Sequence, residues 1–268
     1  MLEALDLLFP AFIVCVLMVI THTYLGLHVL ARGIIFIDLA LAQVAALGVS
    51  VAFLLGKESH GWESQLFAFI ATLIFAFAFA KLRNIRDKIA REVTIGIVYV
   101  VATALSIVIL SRSNQGMEEL KSLFNGNILW TSWQEIAVIA VLYSLVITLH
   151  AVYRRKFLQL SFAEDEKSTP SFIWEFLFFA SFAVVITLAV NVAGILLVFA
   201  FLIIPTFSAS LIVAGFTRQM LVGWLISLIG CVAGLFLAYH FDLPVGATIV
   251  SILGILPIMS AIYVKYSN

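Results

Sequence analysis

Residues 33–56 read "GIIFIDLALAQVAALGVSVAFLLG", and Asp38 is the sole ionisable side chain among them. Apolar runs of this kind recur down the chain, at about 7–28, 33–56, 65–80, 93–110, 134–153, 172–190, 193–213, 220–239 and 246–264. Crossing a bilayer takes about 20 mostly apolar residues, and a chain in lipid must satisfy its own backbone hydrogen bonds. Continuous runs do this as helices, whereas the strands of a barrel would alternate apolar and polar residues over about 10 positions. The sequence therefore predicts an all-α polytopic membrane protein: one transmembrane domain over 1–268, a bundle of about eight or nine transmembrane helices. Composition agrees. Hydrophobic residues make up 63% of the chain and charged residues 11%, with a mean hydropathy of +1.16; soluble domains carry roughly 25% charged residues.

The seventh run is the irregular one. From Gly194 it stays apolar only as far as Ile204, and Pro205 then removes a backbone donor and stops a helix. We expect a Pro-broken span near 193–213 whose irregular backbone is sheltered by protein. The basic residues give an orientation, because cytoplasmic loops are rich in Lys and Arg. Arg32, the segment 81–91, the loop 154–170, Arg218 and Lys265 fall on one side and hold twelve of the fifteen Lys and Arg. That side is expected to be cytoplasmic, with the N-terminus outside and the C-terminus inside. The opening Glu3 and Asp6 are not the basic start of a cleavable signal, so the first run is expected to stay as a span.

The formal net charge is zero, which argues against a nucleic-acid partner. Cys15 and Cys231 lie inside apolar runs, outside any pair motif, and read as small hydrophobes. There is no "GxxxxGK[ST]" phosphate loop, "HExxH", "GxSxG" or His/Cys tetrad. The chain thus reads as no enzyme and as binding no cofactor of its own. Any ATP would be used by a partner chain.

Asp38 is the sharpest candidate. It sits above the cytoplasmic edge, too deep for its short side chain to reach water through lipid, and ionisable residues inside spans face the bundle interior or a cavity. It either hydrogen-bonds another helix or the nearby Arg32, or lines a transport path. Gln43, five positions on, stands about 140° round an ideal helix from Asp38. His22, in the triplet "THT" at 21–23, adds an imidazole suited to a transition metal. His28 and His150 fall near cytoplasmic helix ends, where a polar tip is cheap. Glu58, His60 and Glu63 form an outer-loop "ExHxxE" that reads as solvated, and Glu175 reads as helix N-terminal capping.

Several segments in register resemble the permeases of ATP-binding-cassette importers for zinc, manganese and iron. Residues 190–210, "VNVAGILLVFAFLIIPTFSAS", are similar to that family's "VGxLLVxALLIxPAATA". "LAYHFDLPVGA" at 237–247 resembles "YYLDLPPGA", "TIGIVY" at 94–99 resembles "AIGIVF", and "LFNGNILWTS" at 123–132 resembles "LLFGSILAVS". Arg32 followed by Asp38 matches "RRxSxxGDAxSHAxLPG", but the family's histidine four residues after the aspartate is Ala42 here, with Gln43 next to it. The family's "LPG" becomes "ALG" at 46–48, and the loop 154–170 is shortened.

The resemblance implies the permease subunit of an ATP-driven importer in a bacterial-type cytoplasmic (inner) membrane, with zinc, manganese or iron as cargo. It implies a homodimer embedded in the lipid bilayer, two separate ATPase (nucleotide-binding) subunits and an extracytoplasmic solute-binding protein. Asp38, Gln43 and His22 would line the path. A short cytoplasmic coupling segment at about 205–218, holding Pro205, Thr206, Phe207, Ser208, Ala209, Ser210 and Arg218, would dock on the ATPase, with Ser208, Ser210 and Thr217 able to cap its pieces. The alternative is an ion-gradient-driven secondary transporter acting without an ATPase partner, for which the chain offers few charged relays beyond Asp38.

Overall fold

The computed structural model describes residues 2–58, 61–82, 87–112, 115–162 and 171–267, and every regular element among them is helical. In chain order the helices are α1 (Leu2–Arg32), α2 (Ile37–Leu54), α3 (Trp62–Lys81), α4 (Lys88–Leu110), α5 (Gly116–Asn125), a 3-10 turn (Ile128–Trp130), α6 (Trp133–Val152), α7 (Arg154–Phe162), α8 (Phe172–Ile212), α9 (Phe216–Phe241) and α10 (Val245–Ser267). Eight of the described helices are long and apolar enough to cross a membrane, which agrees with the expected polytopic bundle.

One of the eight differs from expectation. α8 is 41 residues long, about twice what a bilayer needs, and its backbone leaves helical geometry at Gly194 (φ 76°, ψ 161°). Neighbours show that it folds back there. Glu175, near its start, pairs with Arg32 at the end of α1, while Leu202 and Thr206 press on Gly26 only two turns away on the same helix. Phe216, just beyond its end, meets His28. Both ends of α8 thus lie at one end of α1 and the bend lies at the other. The sixth and seventh expected spans are the two arms of this hairpin.

The break expected at Pro205 is not there: Pro205 stays inside the helix, which runs on to Ile212. Pro205 lacks the amide that would bond the Phe201 carbonyl, and the helix continues past it because α1 and α9 pack closely on this arm. Here Thr206 Oγ1 donates to the carbonyls of Leu202 and Ile203, at 2.7 and 2.9 Å.

The bend is built by two glycines. Gly194 and Gly126 (φ 66°, ψ −178°) both occupy a backbone region open essentially to glycine alone, and they touch. A Cβ on Gly126 would lie 2.1 Å from the carbonyl carbon of Ala193, and one on Gly194 would lie 2.3 Å from the nitrogen of Gly126. The Asn127 amide donates to the Val192 carbonyl at 2.9 Å, which ties the hairpin tip to the loop after α5.

α2 runs through the centre of the bundle, against α3, α4 and α8. It starts from a tight reversal: Gly33 is left-handed (φ 64°), its amide reaches Leu30 O, and the Ile34 amide reaches Val29 O, a Schellman ending for α1. Small residues let the other helices close in. Gly48 would place a Cβ 2.6 Å from Ala68 Cα, and Gly234 one 2.8 Å from Ile249 Cα. In lipid, where no hydrophobic force drives helices together, such backbone approach is the main source of packing attraction. Thr72 and Thr187 join α3 to α8 at 3.0 Å, and the buried thiols of Cys15 and Cys231 meet between α1 and α9. Large apolar side chains such as Val108, Leu145, Ile229 and Phe236 remain exposed around the rim, where hydrocarbon would cover them.

Candidate functional site

The reversal at Gly33 sets Asp38 in the first turn of α2, with Phe36 as the residue before the helix. The carboxylate is 0% exposed and neither oxygen has a hydrogen-bond partner. The amide ends of α2 favour a negative charge at this position, yet a buried, unpartnered carboxylate is costly. Arg32 does not relieve it. That guanidinium is held instead by Glu175, within hydrogen-bond distance, and it lies over the rings of Phe178 and Phe179 at 4.7 and 5.0 Å. Glu175, expected as a simple cap, is in the first turn of α8 but buried and ion-paired.

Gln43 is 1% exposed, and its Nε2 has no partner. His22, on α1, is fully buried; its Nδ1 is 3.0 Å from the Met18 carbonyl, so that nitrogen carries the hydrogen and Nε2 is left with an unshared pair and no partner. The His22 ring lies 6.0 Å from that of Tyr143 on α6, whose hydroxyl donates to Val185 O at 3.1 Å. Tyr143 is also within electrostatic reach of Asp38. The three predicted path residues are therefore all buried with unsatisfied polar atoms, on the two helices joined by the Gly33 reversal. Among the described residues, no three His, Cys, Asp or Glu side chains gather closely enough to hold a metal ion by themselves.

The segment 205–218 forms no helix of its own. It comprises the last turns of α8, a turn over 213–215 with Gly215 at φ 94°, and the first turn of α9. Pro205, Thr206, Ser208 and Ala209 are buried, Ser210 is half-buried with its hydroxyl donating to Phe207 O at 2.7 Å, and Phe207 and Arg218 are exposed. Beside it lies α7, which the sequence analysis treated only as part of a loop: the rings of Phe162 and Phe216 are 5.5 Å apart. Glu63, in the first turn of α3, is paired with Lys57 at 2.6 Å, while His60 lies outside the described residues.

The sequence marks His28 and His150 only as polar tips at helix ends. Both are buried, 0% and 1% exposed, and belong to one network with Tyr24. The signal was faint: a histidine and a tyrosine four residues apart on one helix, with the partner histidine more than a hundred positions away.

The chain matches known proteins along nearly its whole length in sequence and in fold. Residues 4–264 match the model of the ABC 3 transport family. The manganese transport system membrane protein MntC of Listeria innocua is 26% identical over 244 residues, covering 90% of this chain and 84% of that protein. A probable metal transport system membrane protein of Thermotoga maritima is 28% identical, covering 84% and 78%. Among solved structures, PsaBC from Streptococcus pneumoniae in complex with Fab superposes with a TM-score of 0.78 at 21% identity, over 100% of this chain and 98% of that one. An inward-facing putative metal-chelate type ABC transporter gives 0.71 at 17% identity, over 97% and 86%. With the family match spanning nearly every residue and the fold agreeing from end to end, the chain belongs to the ABC 3 transport family.

Proposed function

We propose that this chain is the membrane-spanning permease of an ATP-driven importer for divalent transition-metal ions. Relatives named for manganese or metal transport support the cargo class. The observation that carries the reading is Asp38: a carboxylate with both oxygens free, enclosed at the start of the central helix, is a cation ligand held ready at the cost of stability. Gln43 and His22 contribute further donors along the same path. Binding there is weak by design, because tight capture belongs to the external solute-binding protein and a deep well would slow release.

The permease works as a homodimer with two ATPase chains in a cytoplasmic membrane, its C-terminus inside. ATP closes the ATPase pair. The exposed turn at 213–218, with Phe207 and α7 beside it, transmits that movement through the second arm of α8 into the bundle. The test is metal uptake by the reconstituted complex. Asp38→Asn is expected to lower uptake at least tenfold while basal ATP hydrolysis persists, a neutral amide being a far poorer ligand than a carboxylate for a hard or borderline cation. Wild-type uptake by that variant would remove Asp38 from the path, and flux through the purified chain without an ATPase would overturn the importer reading.

A further inference from the structure

Two buried histidines, His28 on α1 and His150 on α6, come together beside α7. His150 Nε2 lies 2.8 Å from Ser181 Oγ, and Ser181 gives its own hydrogen to Phe178 O at 2.8 Å. Ser181 must therefore accept, which puts the His150 hydrogen on Nε2 and leaves Nδ1 with its unshared pair, met at 3.1 Å by the Tyr24 hydroxyl. His28 Nδ1 lies 2.7 Å from Ser161 Oγ on α7, and its Nε2 is buried with no partner at all. Each imidazole is thus anchored through one nitrogen by a serine, and the other is uncommitted or covered only by a rotatable hydroxyl. Ligating histidines are commonly held this way, their outer nitrogen fixed by a second group.

The two rings are 6.4 Å apart, and Tyr24 lies between helix neighbours at 4.9 Å from His28 and 5.5 Å from His150. Aromatic rings wall the cluster. Phe157 of α7 stacks on His150 at 3.8 Å, and Phe162 and Phe216 stand 5.7 and 5.5 Å from His28. Of the two arginines whose charge reaches the cluster, Arg32 on the His28 side is neutralised by Glu175, and Arg154 of α7 acts on Tyr24.

We infer that His28 and His150, with the Tyr24 oxygen, form a second, transient holding position for a divalent transition metal, at the end of the bundle where α1 meets α7. This rests on the importer reading and extends it. Two neutral imidazoles and a phenol favour zinc-class ions over calcium or magnesium, which prefer carboxylates and water. No acidic side chain belongs to the set, so the ion's charge goes uncompensated and it leaves readily. Because Ser161, Phe157 and Phe162 all belong to α7, any movement of that helix disturbs the anchor of His28 and the cover of both rings. Release is thereby linked to the cytoplasmic helix.

The experiment uses the permease–ATPase complex in lipid nanodiscs, with Asp38→Asn, His60→Asn and His240→Asn removing other ligands. Cu2+ is the probe for pulsed EPR, which detects coupled imidazole nitrogens, and radiolabelled Zn2+ gives affinity. Two coupled imidazoles are expected. Adding His28→Asn, which keeps a polar partner for Ser161 but has no distal nitrogen, or His150→Asn should remove one coupling and weaken Zn2+ binding about tenfold or more. His22→Asn should leave both couplings in place. Couplings unchanged in both the His28 and His150 variants, or absent from a complex that still hydrolyses ATP, would overturn the site. Failure of the wild-type complex to take up any divalent metal would instead overturn the importer reading, whatever the spectra show.

Discussion

Arg32 and Glu175 form a buried ion pair that joins the last turn of α1 to the first turn of α8, with each side chain at most 6% exposed. Each charge also faces a favourable helix end, the cation at a C-terminus and the anion at an N-terminus. Leaving one charge without the other is expensive. Glu175→Ala should cost about 3–5 kcal/mol, whereas Arg32→Met with Glu175→Met together should cost clearly less than the two single changes summed. Thermal unfolding in detergent of the wild type, the three single variants and the double variant measures this.

Gly126 and Gly194 should each refuse a side chain. Ala at either position meets backbone within 2.5 Å and also a forbidden φ, so the hairpin tip must separate from the loop after α5. A loss of about 3 kcal/mol or more is expected for each. Gly96, on which a Cβ would touch nothing, is the control, and Gly96→Ala should be neutral or slightly stabilising.

Gln43→Leu separates stability from function. Its Nε2 is buried without a partner, so an apolar side chain of similar size should leave the melting temperature unchanged or higher. Metal uptake by the reconstituted complex should nevertheless fall. Equal uptake with raised stability would make Gln43 a mere defect in the core.

The turn between α8 and α9 offers a further test. Arg218 is exposed and Pro205 is not. Arg218→Glu should therefore weaken ATPase co-purification or stimulation without altering the fold, while Pro205→Ala, which restores an amide inside an existing helix, should leave docking intact. The reverse pattern would move the contact away from 213–218.

How far these features could be read from the chain depends on the distance between cooperating residues. The spans follow from apolar run length, and Asp38 stands out because one carboxylate in such a run has nowhere cheap to go. The fold-back at Gly194 is different. A glycine within an apolar run costs a helix only about 1 kcal/mol, so it does not announce a reversal. What makes it one is its contact with Gly126 and the Asn127–Val192 hydrogen bond, both made across more than sixty residues. Pro205 misled for the complementary reason: its helix-stopping tendency is local, and close packing of this arm against α1 and α9 keeps the helix running. His28 and His150 were unreadable as a pair because burial at a helix end is decided by α7, which covers them.

The folded-back α8 bears on how the protein is made. Its second arm, carrying a proline and barely long enough to cross, depends on the first for cover, so both arms must leave the ribosome before the hairpin is secure. By then the loop bearing Gly126 and Asn127 has already emerged, and it waits as a latch for a tip synthesised some sixty residues later. Biogenesis at this end of the bundle is thus a timed closure, in which everything between latch and tip has to be threaded first.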